Sequence, residues 1–266
     1  GLGDVYKRQP FETAEEIMIH LLDGGFQSQS YFKLQISSTY LADFHPVAFA
    51  LIDLVAYRSQ YMGKRPLKDE LTYRFYESHP FLHKGKVFMF LQKGYDRKAF
   101  EKLAEEFHLK VVISNPVDEL YNIPKMYDLV LEALNIVVDE SVGQGNVFYV
   151  SQLAVPIMLN KMRDYDKLIS QKILSLADYD RRKESQYCET LYYYLACDHS
   201  LKDTCEALFT HRNTILYRIR KMKEDFEIPL DDSDLHFKLL LEVSLILLKE
   251  KGSGFFISKP DSAEEN

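Results

Sequence analysis

From residue 207 to residue 223 the chain carries five Lys or Arg (Arg212, Arg218, Arg220, Lys221 and Lys223) and no Asp or Glu, although its formal net charge is -7. A basic island in an acidic chain points to a local polyanion partner, because a partner responds to the field at the contact surface and not to the total. The island is also periodic. Ile215, Ile219, Met222 and Phe226 recur at the i, i+4, i+7, i+11 spacing of one helix face. At about 100° per residue the opposite face holds Asn213, Thr214, Tyr217, Arg220 and Lys221. The stretch therefore has to be a helix with one face to bury and another to offer to anions.

Thr210 stands where its hydroxyl would cap the start of this helix, and Pro229 lies just past the end. Upstream, residues 200–208 read as a short helix with Ser200 as cap and Leu201, Cys205 and Leu208 inward; Phe209 and Thr210 leave room only for a tight turn. Two helices so joined, the second basic on its outer face, predict a helix-turn-helix whose second helix enters the major groove.

Here the residues carry a family resemblance. Glu189-Thr190-Leu191 with Tyr194-Leu195, then Cys205-Glu206-Ala207-Leu208-Phe209-Thr210-His211-Arg212-Asn213-Thr214-Ile215-Leu216-Tyr217-Arg218-Ile219, then Ile228-Pro229-Leu230-Asp231-Asp232, resemble the C-terminal DNA-binding domain of PucR/CdaR-type bacterial transcription regulators. His-Arg-Asn-Thr followed by Tyr-Arg is the most specific part, and Cys205 stands where the pattern usually has Ala. The resemblance implies DNA contacts from Thr210, His211, Arg212, Asn213, Thr214, Tyr217, Arg218, Arg220, Lys221 and Lys223. Asn213 and Thr214, in the first turn, are placed to read base edges, with Arg212 beside them on a base or a phosphate. Arg220, Lys221 and Lys223, two turns on, are placed to meet phosphate. His211 has the alternative of a capping or packing role, and Tyr217 that of a half-buried anchor.

Several function classes drop out. Cys188, Cys197 and Cys205 match neither a zinc pair nor a secreted disulfide framework, so reduced thiols in a cytoplasmic protein are expected. The longest apolar runs, 47–52 and 239–248, are too short to span a bilayer, and no signal peptide precedes the first helix. His79, His83 and His108 are too scattered for a metal, Gly143-Gln144-Gly145 lacks the Lys and Ser/Thr of a P-loop, and Gly252-Ser253-Gly254 has no nucleophile-elbow context. No cofactor, metal or catalytic residue is expected.

The order of elements sets the architecture. Residues 1–10 read as a tail foreign to the fold, and 11–43 as connector helices, one with Ala14, Ile17, Met18, Leu21 and Leu22 inward and ended by Gly24-Gly25, a second over 31–41. Within 44–138, residues 47–52 form a strand buried on both faces, 81–91 a hairpin turning near Lys84-Gly85, 96–107 a helix, 110–114 a strand, and a helix runs from Pro116 to about 136, interrupted or restarted at Pro124. Strands with helices packed on them imply an α+β domain. The order is similar to the GGDEF-like middle domain of the same regulators, a relative of nucleotidyl cyclases. Asp53 matches the first metal-binding Asp of that pattern, while Lys86 and Val87 fall where the acidic pair should be. A cation there repels a metal, so the domain reads as a degenerate, inactive GGDEF-like fold and Asp53 as a strand-end or surface carboxylate.

The best boundary in composition is 139–146, followed by linker and connecting helices to 183: a short strand at 148–150, helices over 153–162 and 165–176, and an acidic turn at Ala177-Asp178-Tyr179-Asp180. An all-α helix-turn-helix domain follows over 184–250, led by a helix over 184–196 with Tyr187, Leu191, Tyr194 and Leu195 inward. Residues 235–249 close the bundle, apolar nearly all round, and this surplus suggests packing on another subunit. Residues 251–266 read as a flexible tail. The function expected is a sequence-specific regulator bound to double-stranded DNA as a homodimer or higher oligomer. A small-molecule effector would act through an N-terminal input domain that this chain lacks. The alternative is a nucleotide-binding or nucleotide-processing protein centred on Asp53.

Overall fold

The computed structural model describes residues 13–54, 64–75, 77–139 and 146–257, and these divide into two compact units, the described residues up to 154 and residues 155–257. The expected tail over 1–10, the end of the C-terminal tail over 258–266 and the Gly143-Gln144-Gly145 segment lie outside the described residues.

The first unit is built on a five-stranded sheet: β1 (Ala48–Asp53), β2 (Phe81–His83), β3 (Lys86–Leu91), β4 (Lys110–Ile113) and β5 (Val147–Tyr149), in the order β2-β3-β1-β4-β5. β1 is central and antiparallel to both β3 and β4; only β5 runs parallel to its neighbour. All six residues of β1 are buried, as its unbroken apolar run requires for a strand covered on both faces. The β2–β3 turn falls at Lys84 and Gly85, both at positive φ (47° and 80°), the geometry that matches the twist of a two-residue hairpin.

Helices α1 (Ala14–Leu22), α2 (Gln29–Ile36), α3 (Lys64–Arg74), α4 (Arg97–Phe107) and α5 (Ile123–Asp139) complete the unit. One sheet face, with Ala50, Ile52, Met89 and Val111, shares a core with Leu67 and Leu71 of α3 and Phe100 and Leu103 of α4. On the other, Phe49 and Phe88 stack with Tyr127 of α5. His83, buried, joins three elements: its ring meets the Tyr127 hydroxyl at 2.7 Å and Asp23 Oδ1, at the end of α1, at 3.0 Å. That hydrogen bond from His83 is the main reason the Asp23 carboxyl is held below its usual range.

Several boundaries differ from those read in the sequence. The helix expected over 31–41 ends at Ile36, because the Ser37 and Thr39 hydroxyls donate to the Leu34 and Ile36 carbonyls and compete with further turns. The helix expected from Pro116 starts at Ile123, so that Pro124 sits in its first turn where no amide is needed. The short strand expected at 148–150 is β5, Val147–Tyr149, which joins the sheet of the first unit beside β4 and is not part of a linker, and the division between units falls after Ala154 and not at 139–146.

Asp53 is not a surface carboxylate. It is only 4% exposed, and the Lys86 ammonium is ion-paired with it: Ile52 pairs with Val87 across β1–β3, so the next rung sets Asp53 opposite Lys86.

The second unit contains α6 (Ala154–Lys161), α7 (Gln171–Lys183), α8 (Tyr187–Ala196), α9 (Leu201–Leu208), α10 (Arg212–Glu224) and α11 (His236–Lys251). The helix expected over 165–176 is a 3₁₀ segment at Arg163–Leu168 followed by α7. Ala177-Asp178-Tyr179-Asp180 is no turn but lies within α7, and the break comes at Glu184, whose left-handed conformation (φ 50°) caps the helix. The leading helix therefore starts at Tyr187, not at 184. What caps it is Asp180, buried in the preceding helix. Its Oδ1 accepts from the Tyr187 amide at 2.9 Å and the Ser185 hydroxyl at 2.7 Å, and its Oδ2 from the Cys188 amide at 2.7 Å.

The apolar surplus of α11 is used inside the unit. Leu239, Val243, Ile246, Leu247 and Leu248 are buried in one core with Ile173, Leu191, Ile215 and Met222; Leu240 and Leu245 are partly buried against it, and Phe237 is the largely exposed apolar side chain of this helix. Part of the expected C-terminal tail also belongs to the fold. Phe255 and Phe256, in a 3₁₀ turn at Ser253–Phe256, pack on Tyr192, and Phe256 is buried.

Two stability predictions follow from the buried charges. Lys86→Met removes the ammonium ion-paired with the buried Asp53 carboxylate and should cost about 3 kcal/mol, whereas Lys86→Met with Asp53→Asn should recover most of it. Denaturant titration of the three proteins checks this, and equal stability of single mutant and wild type defeats it. Asp180→Ala strips two first-turn amides and a hydroxyl of their acceptor, and should destabilise the helical unit by about 2 kcal/mol. A thermal melt unchanged from wild type would show that water replaces the carboxylate at no cost.

Candidate nucleic-acid interface

The helix-turn-helix is made by α9 and α10. Ser200 caps α9, its hydroxyl accepting from the Asp203 amide. The helix ends at Phe209, in the left-handed region (φ 49°, ψ 40°), with the Phe209 amide donating to Glu206 and the Thr210 amide to Cys205. This is the paired bonding of a Schellman stop, which turns the chain within two residues. Thr210 does not cap α10. The cap position is His211, one residue later, and no side chain hydrogen bond closes it; the Thr210 hydroxyl donates back to the Leu208 carbonyl at 2.9 Å. The first turn of α10 thus ends in amides that the protein's own side chains do not cap, at the positive end of the helix dipole.

Ile215, Ile219 and Met222 are buried and Phe226 is half-buried, as the spacing predicts. The face turned away carries His211, Arg212, Asn213, Thr214, Tyr217 and Arg220, all exposed, Tyr217 by 58%. Tyr217 is therefore no half-buried anchor. Asn213, Tyr217 and Arg220 form one stripe along the helix. Arg212 and Arg220 have no ion-pair partner among the described residues.

The other three cations, Arg218, Lys221 and Lys223, which the resemblance places on DNA, have partners within the chain. Arg218 reaches across to α8, its guanidinium donating to Thr190 Oγ1 at 2.9 Å and Gln186 Oε1 at 3.4 Å. Thr190, fully buried, in turn donates to the Gln186 carbonyl at 2.6 Å. Lys221 donates to the Tyr179 hydroxyl of α7 at 3.1 Å, and that hydrogen bond is the chief reason its ammonium is held charged above the usual lysine range. Lys223 is paired with Asp231 at 2.6 Å, in the loop after α10. Nothing in the sequence marks Tyr179, Gln186 and Thr190 as partners of α10, although Thr190 and Tyr179 lie in stretches the sequence singles out; packing brings them to it.

Among the described residues no group of three His, Cys, Asp or Glu could hold a metal ion, and no helix is long and apolar enough to cross a membrane.

Comparison with known proteins agrees with this geometry. Residues 187–245 match the model of the PucR C-terminal helix-turn-helix domain. The chain is 25% identical over 134 residues to the purine catabolism regulatory protein of Bacillus subtilis (strain 168), covering 50% of this chain and 25% of that protein. It is 27% identical over 161 residues to the proline-responsive transcriptional activator PutR of the same organism, covering 56% of this chain and 38% of that protein. The chain thus spans well under half the length of these relatives. A crystal structure of a regulator of polyketide synthase expression from Bifidobacterium adolescentis overlaps with a TM-score of 0.43 at 10% identity, covering 90% of this chain and 95% of that one. The matched segment, residues 187–245, contains α8, α9 and α10 with their exposed stripe, so this part of the chain is a helix-turn-helix domain similar to the C-terminal domain of PucR.

Proposed function

We propose that the chain regulates transcription by binding double-stranded DNA sequence-specifically through α9 and α10, as a homodimer or higher oligomer. One observation carries this reading: the N-terminal turn of α10 exposes His211, Arg212, Asn213 and Thr214 beside uncapped amides, while the opposite face of the same helix is sealed in the core. An open helix N-terminus suits phosphate, and Asn suits the donor and acceptor pair on adenine. Arg220, further along the stripe, suits phosphate. The two Bacillus relatives, named for purine catabolism and for a response to proline, support a regulator that answers to a small metabolite.

The alternative, nucleotide chemistry centred on Asp53, is disfavoured by the Lys86 ammonium ion-paired with that carboxylate, since a cation there repels a metal ion.

Two experiments test the reading. On a duplex recovered by selection from random DNA, Asn213→Ala should lose about 1–3 kcal/mol of binding and lose little on a random duplex. Arg220→Ala should weaken both alike and reduce the slope of log K against log salt by about one, or about two in a dimer. Identical behaviour of the two mutants would mean that α10 does not divide its contacts in this way. The second concerns assembly. Thirteen residues of α10 extend about 20 Å, too short to specify a genomic site alone, so sedimentation at micromolar protein should find a dimer or higher species on DNA. One protomer per selected duplex at saturation would contradict it. The surface of α11 no longer supplies an argument for oligomers, being largely covered within the unit.

A further inference from the structure

Lys221 belongs by sequence to the basic island, yet a residue outside the helix-turn-helix holds it. Its Nζ lies 3.1 Å from the Tyr179 hydroxyl and 4.9 Å from the centroid of the same ring, with Asp225 Oδ2 at 3.7 Å. The Lys221 side chain is only 21% exposed. Tyr179 cannot readily follow a departing lysine, because its ring is wedged edge-on against Tyr187, with centroids 5.5 Å apart, and against Phe226 at 5.4 Å. To reach a phosphate, Lys221 would have to give up a hydrogen bond, a cation–π contact and an ion pair together.

Where Lys221 stands on the helix makes this consequential. Eight residues beyond Asn213, it lies about 80° round the axis, on the flank between the exposed stripe and the buried face. A free lysine on that flank would meet the backbone of whatever duplex lay against α10, and phosphate contacts add affinity that is blind to sequence. Arg212 and Arg220 are different. Neither has an ion-pair partner among the described residues, so both are available at no internal cost.

We propose that Tyr179 is a specificity-determining positioning residue: by retaining Lys221 on α7, it keeps one cation of the recognition helix off the phosphate backbone, so that a smaller share of DNA affinity is independent of sequence. This rests on the DNA-binding reading of α10. It assigns to α7 a part in recognition, although α7 lies outside the helix-turn-helix.

The test is a salt titration of the full chain on two duplexes of equal length, one recovered by selection from random DNA and one of random sequence. Tyr179→Leu should tighten binding to the random duplex several-fold and steepen the slope of log K against log salt by about one per freed lysine, or about two in a dimer. The ratio of selected to random affinity should fall. Tyr179→Phe, which keeps the ring packing and removes only the hydroxyl, should move both readouts the same way by less. In a Lys221→Met background both Tyr179 effects should vanish, a dependence that loss of packing alone would not show. Lys221→Met by itself should leave the slope unchanged. The inference is overturned if Lys221→Met flattens the slope, since the lysine would then already be on phosphate, or if the Tyr179 effects persist without Lys221 or do not arise. If wild type fails to prefer the selected duplex, or Asn213→Ala discriminates as well as wild type, it is the DNA-binding reading of α10 that fails.

Discussion

Burial of Ile215, Ile219 and Met222 is the contact on which the second unit depends. Each such side chain contributes about 1.5–3 kcal/mol when taken out of water, whereas an exposed ion pair contributes about 0–1. The rotation of α10 about its axis is therefore set by its apolar face, and its cations go where that rotation sends them. Asn213, Tyr217 and Arg220 point outward because they lie opposite three residues that cannot. Arg218 and Lys221, on the flanks, end against neighbouring helices and find partners there.

Those flanking contacts are the polar counterpart of the apolar core. Tyr179 and Asp180 are adjacent in α7 and so diverge by about 100°. One reaches the recognition helix and the other the start of α8. Arg218 then ties α10 to α8 through a threonine that is itself hydrogen-bonded to the backbone. Apolar packing tolerates small slips between helices, but these directional bonds do not, and together they hold the three helices in one relative arrangement. A DNA-reading surface needs this, since base contacts depend on side chains being placed to within a fraction of a hydrogen-bond length.

In the first unit a buried pair does comparable work with a different result. Asp53 at the end of the central strand and Lys86 across the hairpin neutralise each other in a site almost closed to water. A buried carboxylate has to be paired, and here the partner is covalently part of the chain. The same rung that stabilises the sheet pairs Asp53 with an ammonium.

What the sequence by itself determined is what depends on near neighbours: the inward face of α10 from its 3.6-residue period, β1 from its unbroken apolar run, the hairpin from Lys84-Gly85, and the exposed His211-Arg212-Asn213-Thr214 turn from its place after a short helix. What only tertiary structure decided is what depends on residues far apart in the chain. The short strand expected at 148–150 stood in a linker because nothing local shows that it pairs with β4 and joins the sheet. Asp180 read as part of an acidic turn because nothing local shows that it caps a helix seven residues on. The surplus of α11 looked like an interface because a one-dimensional pattern cannot say that Ile173, Leu191 and Met222 arrive to cover it. Five cations stood in the island as equals, and only packing brought Thr190, Tyr179 and Asp231 to three of them, while Arg212 and Arg220 have no ion-pair partner among the described residues.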